Sequence, residues 1–159
     1  MDTTAFFKLT YGLYIVTSKD GEHESGCVMN TMTQVTAEPA QVCITLNKEN
    51  YTTQLIEKSG VFNVSVLLDD VSMDLIRQFG FQSGRDVNKF ENIKYDTDQH
   101  GVKYLTQDSA AMFVCRVKQK VDVGTHYMFI SEVCDAKTLS NEPVLTYTAY
   151  HEKKQGTTP

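Results

Sequence analysis

Three short stretches concentrate the hydroxyl, amide and cationic side chains of this chain. The first, Asn30-Thr31-Met32-Thr33-Gln34-Val35-Thr36, runs directly into Ala37-Glu38-Pro39. The second is Asn47-Lys48-Glu49-Asn50-Tyr51-Thr52-Thr53, and the third is Ser83-Gly84-Arg85 with Lys89 shortly after. Each alone reads as a turn or a cap, because Asn, Ser and Thr bond nearby backbone at such places. Together they suit a planar cofactor that carries a phosphate. A phosphate dianion takes backbone N–H groups at a helix start, hydroxyls and one or two cations. Lys48, Thr52, Thr53 and Arg85 could supply these.

Other chemistries lack their residues. There is no G-x-S-x-G elbow, no H-E-x-x-H pair and no G-K-S/T phosphate loop. His23, His100, His126 and His151 have no metal-ligand spacing, so no metal site is expected. Gly80 and Gly84 frame F-G-F-Q-S-G-R, but this segment does not follow a strand and open a helix, which excludes a Rossmann turn. Cys27, Cys43, Cys115 and Cys134 are widely spaced with no C-x-x-C. They read as free thiols in a reducing compartment.

The elements that must position the three clusters are mostly strands. Leu13 to Ser18, the turn Lys19-Asp20-Gly21 and a partner strand from about Glu24 through Val35 form a hairpin pattern. Gln41 to Leu46 alternates, with Val42, Ile44 and Leu46 on one face. Tyr51 to Lys58 reads as a short helix between Asn50, an N-cap, and Gly60. Val61 to Leu67 is a β-branched strand, and Val71 to Phe79 has helical spacing. Residues 80–90 read as loop. Ala111 to Val121 puts Ala111, Phe113, Cys115, Val117 and Val121 on one face and Arg116, Lys118 and Lys120 on the other. His126 to Leu139 and Val144 to Tyr150 are further strands, and Thr3 to Thr10 is a short helix with Phe6, Phe7 and Leu9 partly buried. Many strands without βαβ alternation predict a mainly β, antiparallel barrel.

The totals agree with one domain spanning 1–159: 159 residues, 41% hydrophobic and 22% charged. A net charge of -5 without a Lys/Arg cluster argues against nucleic-acid binding. No apolar run approaches the roughly 20 residues that span a bilayer. The Met-Asp-Thr-Thr start lacks a signal peptide's basic and apolar regions, so a cytoplasmic location without membrane contact is expected.

The ordered set N-T-M-T-Q-V-T, L-N-K-E-N-Y-T, F-G-F-Q-S-G-R-D-V-N-K-F, G-T-H-Y-M-F-I-S-E-V and T-Y-T-A-Y-H-E-K-K-Q-G resembles the flavin reductase-like, FMN-binding split-barrel family across nearly the whole chain. Its nearest branch looks like the flavoredoxins and the flavin domain of high-molecular-weight rubredoxins. The resemblance implies a six-stranded split β-barrel of Greek-key topology that forms a homodimer and binds FMN near the subunit interface. Asn30, Thr31, Met32, Thr33, Gln34 and Val35 would then line the flavin ring, their backbone N–H groups facing its N5 and carbonyl oxygens. Asn47, Lys48, Asn50, Thr52 and Thr53 would lie at the phosphate end with Ser83, Arg85 and Lys89. His126 matches a histidine near the flavin face, where it would orient a nicotinamide or donate to developing negative charge; it equally suits a turn or interface. The tail with His151, Lys153 and Lys154 could cross to the partner subunit. Expected partners are NAD(P)H and free flavin or a separate rubredoxin-like acceptor. The alternative is an electron carrier that holds FMN tightly without NAD(P)H turnover.

Overall fold

The hairpin signal around Gly21 produces the first strand pair, β1 (Tyr14–Asp20) and β2 (His23–Met29), in register from Tyr14↔Met29 to Asp20↔His23. Gly21 takes φ +58°, which a residue without a Cβ adopts at no steric cost. The computed structural model describes residues 1–153, apart from the Lys153 side chain. It continues with β3 (Met32–Thr36), β4 (Gln41–Asn47), α1 (Tyr51–Ser59), β5 (Val61–Leu67) and α2 (Met73–Gly80). Then come β6 (Tyr95–Thr97), β7 (Lys103–Leu105), β8 (Ser109–Asp122), β9 (His126–Thr138) and α3 (Tyr147–Lys153). The protein is mainly β with a few short helices.

Seven strands, one more than the resemblance implies, form one antiparallel sheet in the order β2-β1-β5-β8-β9-β4-β3, while β6 and β7 pair separately. The segment after Asn30 counts as a strand of its own because it pairs with β4. β4 pairs with β9 rather than β5, the out-of-order return of a Greek key. The two outer strands, β2 and β3, are consecutive in the chain and joined only by Asn30 and Thr31. Laid flat, the seven strands would hold those edges about 29 Å apart, at about 4.8 Å per strand. A two-residue link reaches about 10 Å at most. The sheet must therefore curl until its edges approach, giving a barrel split along the β2–β3 seam.

Curling buries one face completely. Val16, Met29, Ile44, Leu46, Phe62, Val64, Cys115 and Phe129 meet in one cluster, joined by Ile56 of α1. Ile15, next to Val16, points to the opposite face and packs with Leu75, Ile76 and Phe79 of α2. β1 is thus covered on both sides, which its run of buried residues reflects. Each fully buried aliphatic side chain contributes about 1.5–3 kcal/mol. On β8 the expected outward face, Arg116, Lys118 and Lys120, is exposed, but Met112 and Val114 are buried too, against Tyr104 of β7.

Both internal helices form where the sequence places them. Asn50 caps α1 through Thr52 N–H, and Gly60 ends it in the left-handed region at φ 71°. All four cysteines are free. Other expectations need correction. The single strand from Glu24 through Val35 is two, because alternation along a sequence does not register a change of partner: β2 pairs with β1, and β3 with β4. The last expected strand keeps only isolated bridges at Val144 and Thr146 before turning into α3. There Tyr147 stacks edge-on with His151 one turn later, ring centroids 4.4 Å apart, a helical pairing that outweighs β propensity. The Thr3 to Thr10 helix is a 3-10 turn over Thr3–Lys8, and its side chains are not buried: Phe6 is 57% and Phe7 85% exposed. Lys154 and the end of the tail lie outside the described residues.

Gly26 of β2 lies directly against α2: a Cβ there would sit 2.8 Å from the Phe79 ring. Gly26→Ala should therefore cost about 1–3 kcal/mol by overpacking. Urea unfolding monitored by circular dichroism measures the loss.

Candidate functional site

A polar pocket of about 290 Å³ opens at the start of α1. Its floor is Ser25, Gly26 and Cys27 of β2, one side is Glu49-Asn50-Tyr51, and the other is the segment from Phe79 to Arg85. The first turn of a helix presents N–H groups and the positive end of its dipole. Here that turn is anchored rigidly. Thr52 and Thr53 are both fully buried, yet each hydroxyl is satisfied. Thr52 Oγ1 donates to Ser25 Oγ at 3.1 Å, and Thr53 Oγ1 donates to the Asn47 carbonyl at 2.8 Å.

Arg85 supplies the cation. Its guanidinium lies over the Tyr51 ring, 4.7 Å from the centroid, and donates to Gln54 Oε1 at 2.6 Å. Ser83 Oγ accepts from Arg85 N–H at 3.2 Å, which shapes the turn. Gly84 allows the wall to approach: a Cβ there would meet Ser25 Oγ at 2.1 Å. Cys27, lining the same pocket, is a buried thiol whose pKa burial pushes up to about 11. Positive side chain, helix start, hydroxyls and a Cβ-free approach are the donor set of a phosphate cradle.

A second constellation lies at the C-terminal end of β4, a few residues before α1. Asn47 faces His126 in the β4–β9 register, and Lys48 N–H donates to the Thr125 carbonyl at 3.0 Å. His126 Nδ1 is 2.7 Å from Thr125 Oγ1, which occupies that nitrogen and leaves Nε2 for other partners. Thr45 N–H, two residues before Asn47, donates to the Thr31 carbonyl at 3.4 Å. Asn30, Thr31, Asn47, Lys48 and His126 are thereby gathered around the β2–β3 link. Asn30 follows the last residue of β2, three residues beyond Cys27 of the pocket.

The sequence-derived residues divide accordingly. Asn50, Ser83 and Arg85 line the pocket, and Thr52 lies directly beneath it, bonded to Ser25. Met32, Thr33, Gln34 and Val35 belong to the outer strand β3, whose far side has no partner strand among the described residues. Met32 and Gln34 also line an apolar cavity of about 400 Å³ with Tyr14 and Phe113. Lys48 is not in the pocket lining; it pairs with Asp122 at 2.6 Å and lies over Tyr127. Lys89 is buried behind the wall and donates to the carbonyls of Gln78 (2.7 Å), Phe79 (3.1 Å) and Gln82. Ser25, Gly26 and Tyr51 were not singled out by sequence. The one signal for Ser25 and Gly26 is a small polar pair inside an otherwise apolar strand.

The chain matches the flavin reductase-like domain family over residues 6–156. It is 43% identical to a ferric-chelate reductase (NAD(P)H) of Archaeoglobus fulgidus, over the whole chain and 94% of that protein. It is equally 43% identical, again over its whole length, to a high molecular weight rubredoxin of Moorella thermoacetica, covering 69% of it. Its fold is similar to a solved NADH:FAD oxidoreductase of Streptomyces globisporus, with a TM-score of 0.82 at 22% identity, over 91% of this chain and 85% of that one. The chain belongs to the flavin reductase-like family.

Proposed function

From that membership we propose that the chain is one FMN-binding domain, residues 1–159, that oxidises NAD(P)H and passes the electrons to free flavin or to a protein acceptor of the rubredoxin kind. The reductase class is that of its relatives; FMN and the acceptor are the inference. One observation carries it: the phosphate cradle at the α1 N-terminus and the polar constellation around Asn30 lie along a single strand, β2. From Ser25 to Asn30 that strand runs about 17 Å at about 3.4 Å per residue, room for a sugar chain between a phosphate and a ring.

The residues take the following roles. The α1 first turn, Ser83 and Arg85 hold the phosphate, with Thr52 and Ser25 fixing the geometry beneath it. Asn30, Thr31 and the unpaired edge of β3 through Val35 offer N–H donors to the ring edge. FMN, when bound, supplies the hydride-accepting centre that nicotinamide reduces. His126, with Nδ1 occupied by Thr125, presents Nε2 to orient the incoming nicotinamide. Asn47 and Lys48 set the floor beneath His126, with Lys48 held by Asp122.

Two further parts of the reading rest on surfaces. Phe6, Phe7 and Leu9 are exposed beside Tyr11, Tyr147 and His151 around an apolar cavity of about 360 Å³, a face that suits a homodimer. Free thiols suit the reducing cytoplasm, and among the described residues no helix is long and apolar enough to cross a membrane.

Purified protein reconstituted with FMN should show flavin absorbance that survives desalting and bleaches on anaerobic NADH or NADPH. Bands that persist with both nucleotides would move the role to a carrier reduced by another protein; failure to take up FMN would end the reading. Arg85→Ala should weaken FMN binding by about 1.5–3 kcal/mol, the size of a charge-assisted contact, as read by quenching of flavin fluorescence. His126→Ala should slow hydride transfer in stopped flow more than it weakens FMN binding, and an unchanged rate would return His126 to a structural role.

A further inference from the structure

Lys89 is buried, with 2% of its surface exposed, and among the described residues it forms no ion pair. Its three donors go to three backbone carbonyls instead. Two belong to Gln78 and Phe79 in the last turn of α2, where helical carbonyls lack partners, and the third to Gln82. Phe79 and Gln82 are also lining residues of the polar pocket. The ammonium therefore sits directly behind that wall and ties together the backbone that forms it. A charge taken out of water without a counter-charge is costly. Three carbonyl dipoles lessen the cost but leave a full positive charge facing the pocket from behind.

We propose that Lys89 is a positioning residue for the anion end of the pocket: its ammonium braces the Phe79–Arg85 wall and, through it, supplies the buried positive charge that the phosphate of FMN compensates. This rests on the FMN reading and assigns to Lys89 an indirect role in it. Arg85 touches the phosphate from the open side, and Lys89 acts from the closed side without touching it.

The charged groups around Lys89 are few. Cys27 of β2 lies close enough for its charge state to be felt, and burial holds its thiol up at about 11, hence neutral. On α2, Arg77 is paired with Asp74 at 3.0 Å on the exposed face. Lys103 of β7 is paired with Glu24 of β2 at 2.6 Å. In its own segment, Arg85 bonds Gln54, and Asp86 and Glu91 are exposed. Burial lowers the Lys89 pKa from 10.5 to about 8. In the free protein its charge is thus present below about pH 8 and lost above it. The two consequences have opposite signs. Between about 8 and 10.5 the unfolded chain binds the extra proton, so the destabilising contribution of this group fades as pH rises. FMN affinity, by linkage, falls over the same rise.

The test compares FMN with riboflavin, which has the same ring and no phosphate, by fluorescence titration from pH 7 to 9.5. The phosphate, with its second pKa near about 6, stays a dianion throughout. In the wild-type protein the FMN-to-riboflavin affinity ratio should be flat to about pH 8 and then decline. Lys89→Met, which keeps the stem and removes charge and donors, should lower that ratio roughly tenfold or more and abolish its pH dependence, with riboflavin affinity within about twofold. If Lys89→Met does not fold, the wild-type pH series alone decides. A ratio unchanged by the substitution, or flat to pH 9.5 in the wild type, overturns the proposal and leaves Lys89 as a helix cap. A wild-type protein that binds neither flavin overturns the FMN reading as well.

Discussion

Two residues, Asn30 and Thr31, join the outermost strands of the sheet, and most of the molecule follows from that connection. It forces the sheet to curl, and curling creates the interior that Phe62, Ile44 and Phe129 fill. β2 and β3 nevertheless do not pair with one another where they meet: β2 pairs with β1, and β3 with β4. The candidate site lies beside the seam between them, with the polar pocket over the middle of β2 and the polar constellation around the link that follows it.

Around the seam, buried polar groups are fixed by partners before any ligand arrives. Thr52 bonds Ser25, Thr53 bonds the Asn47 carbonyl, and Lys89 bonds three carbonyls. Such bonds add modestly to stability, but leaving any of these groups unpaired would be expensive. They hold the first turn of α1 and the wall opposite it in one arrangement. A pre-arranged site loses less conformational entropy on binding than one that must be ordered. Gly26 and Gly84 serve the same end, since a side chain at either would push the wall from β2.

Local signals were legible in the sequence and long-range ones were not. α1 was readable because both ends carry their own caps, Asn50 and Gly60, and Val42, Ile44 and Leu46 revealed the buried face of β4. The break at Asn30 was invisible, because the same alternation continues across a change of partner. Residues 144–150 looked like a strand because Val, Tyr and Thr favour strands; from Tyr147 on, the packing of Tyr147 and Tyr150 with His151 decided otherwise. The pocket's hydroxyls and Arg85 stood out by residue type. Ser25 and Gly26 did not, since their importance comes from α1 and α2 meeting over them. Lys48 and Lys89 look equally suited to an anion in sequence. Their partners, Asp122 for one and backbone carbonyls for the other, are knowable only in three dimensions.

An exposed sheet edge ordinarily invites another strand, and here β3 is such an edge. Its regular pairing with β4 runs only from Met32 to Gln34, after which the register shifts before Thr36. Gln34 Nε2 folds back onto the Thr36 carbonyl at 3.4 Å. An incoming peptide would find too few consecutive donors and acceptors to zip onto. The irregularity after Gln34 therefore shortens the stretch of regular edge to which an extended chain could add, a guard against fibril-like self-association.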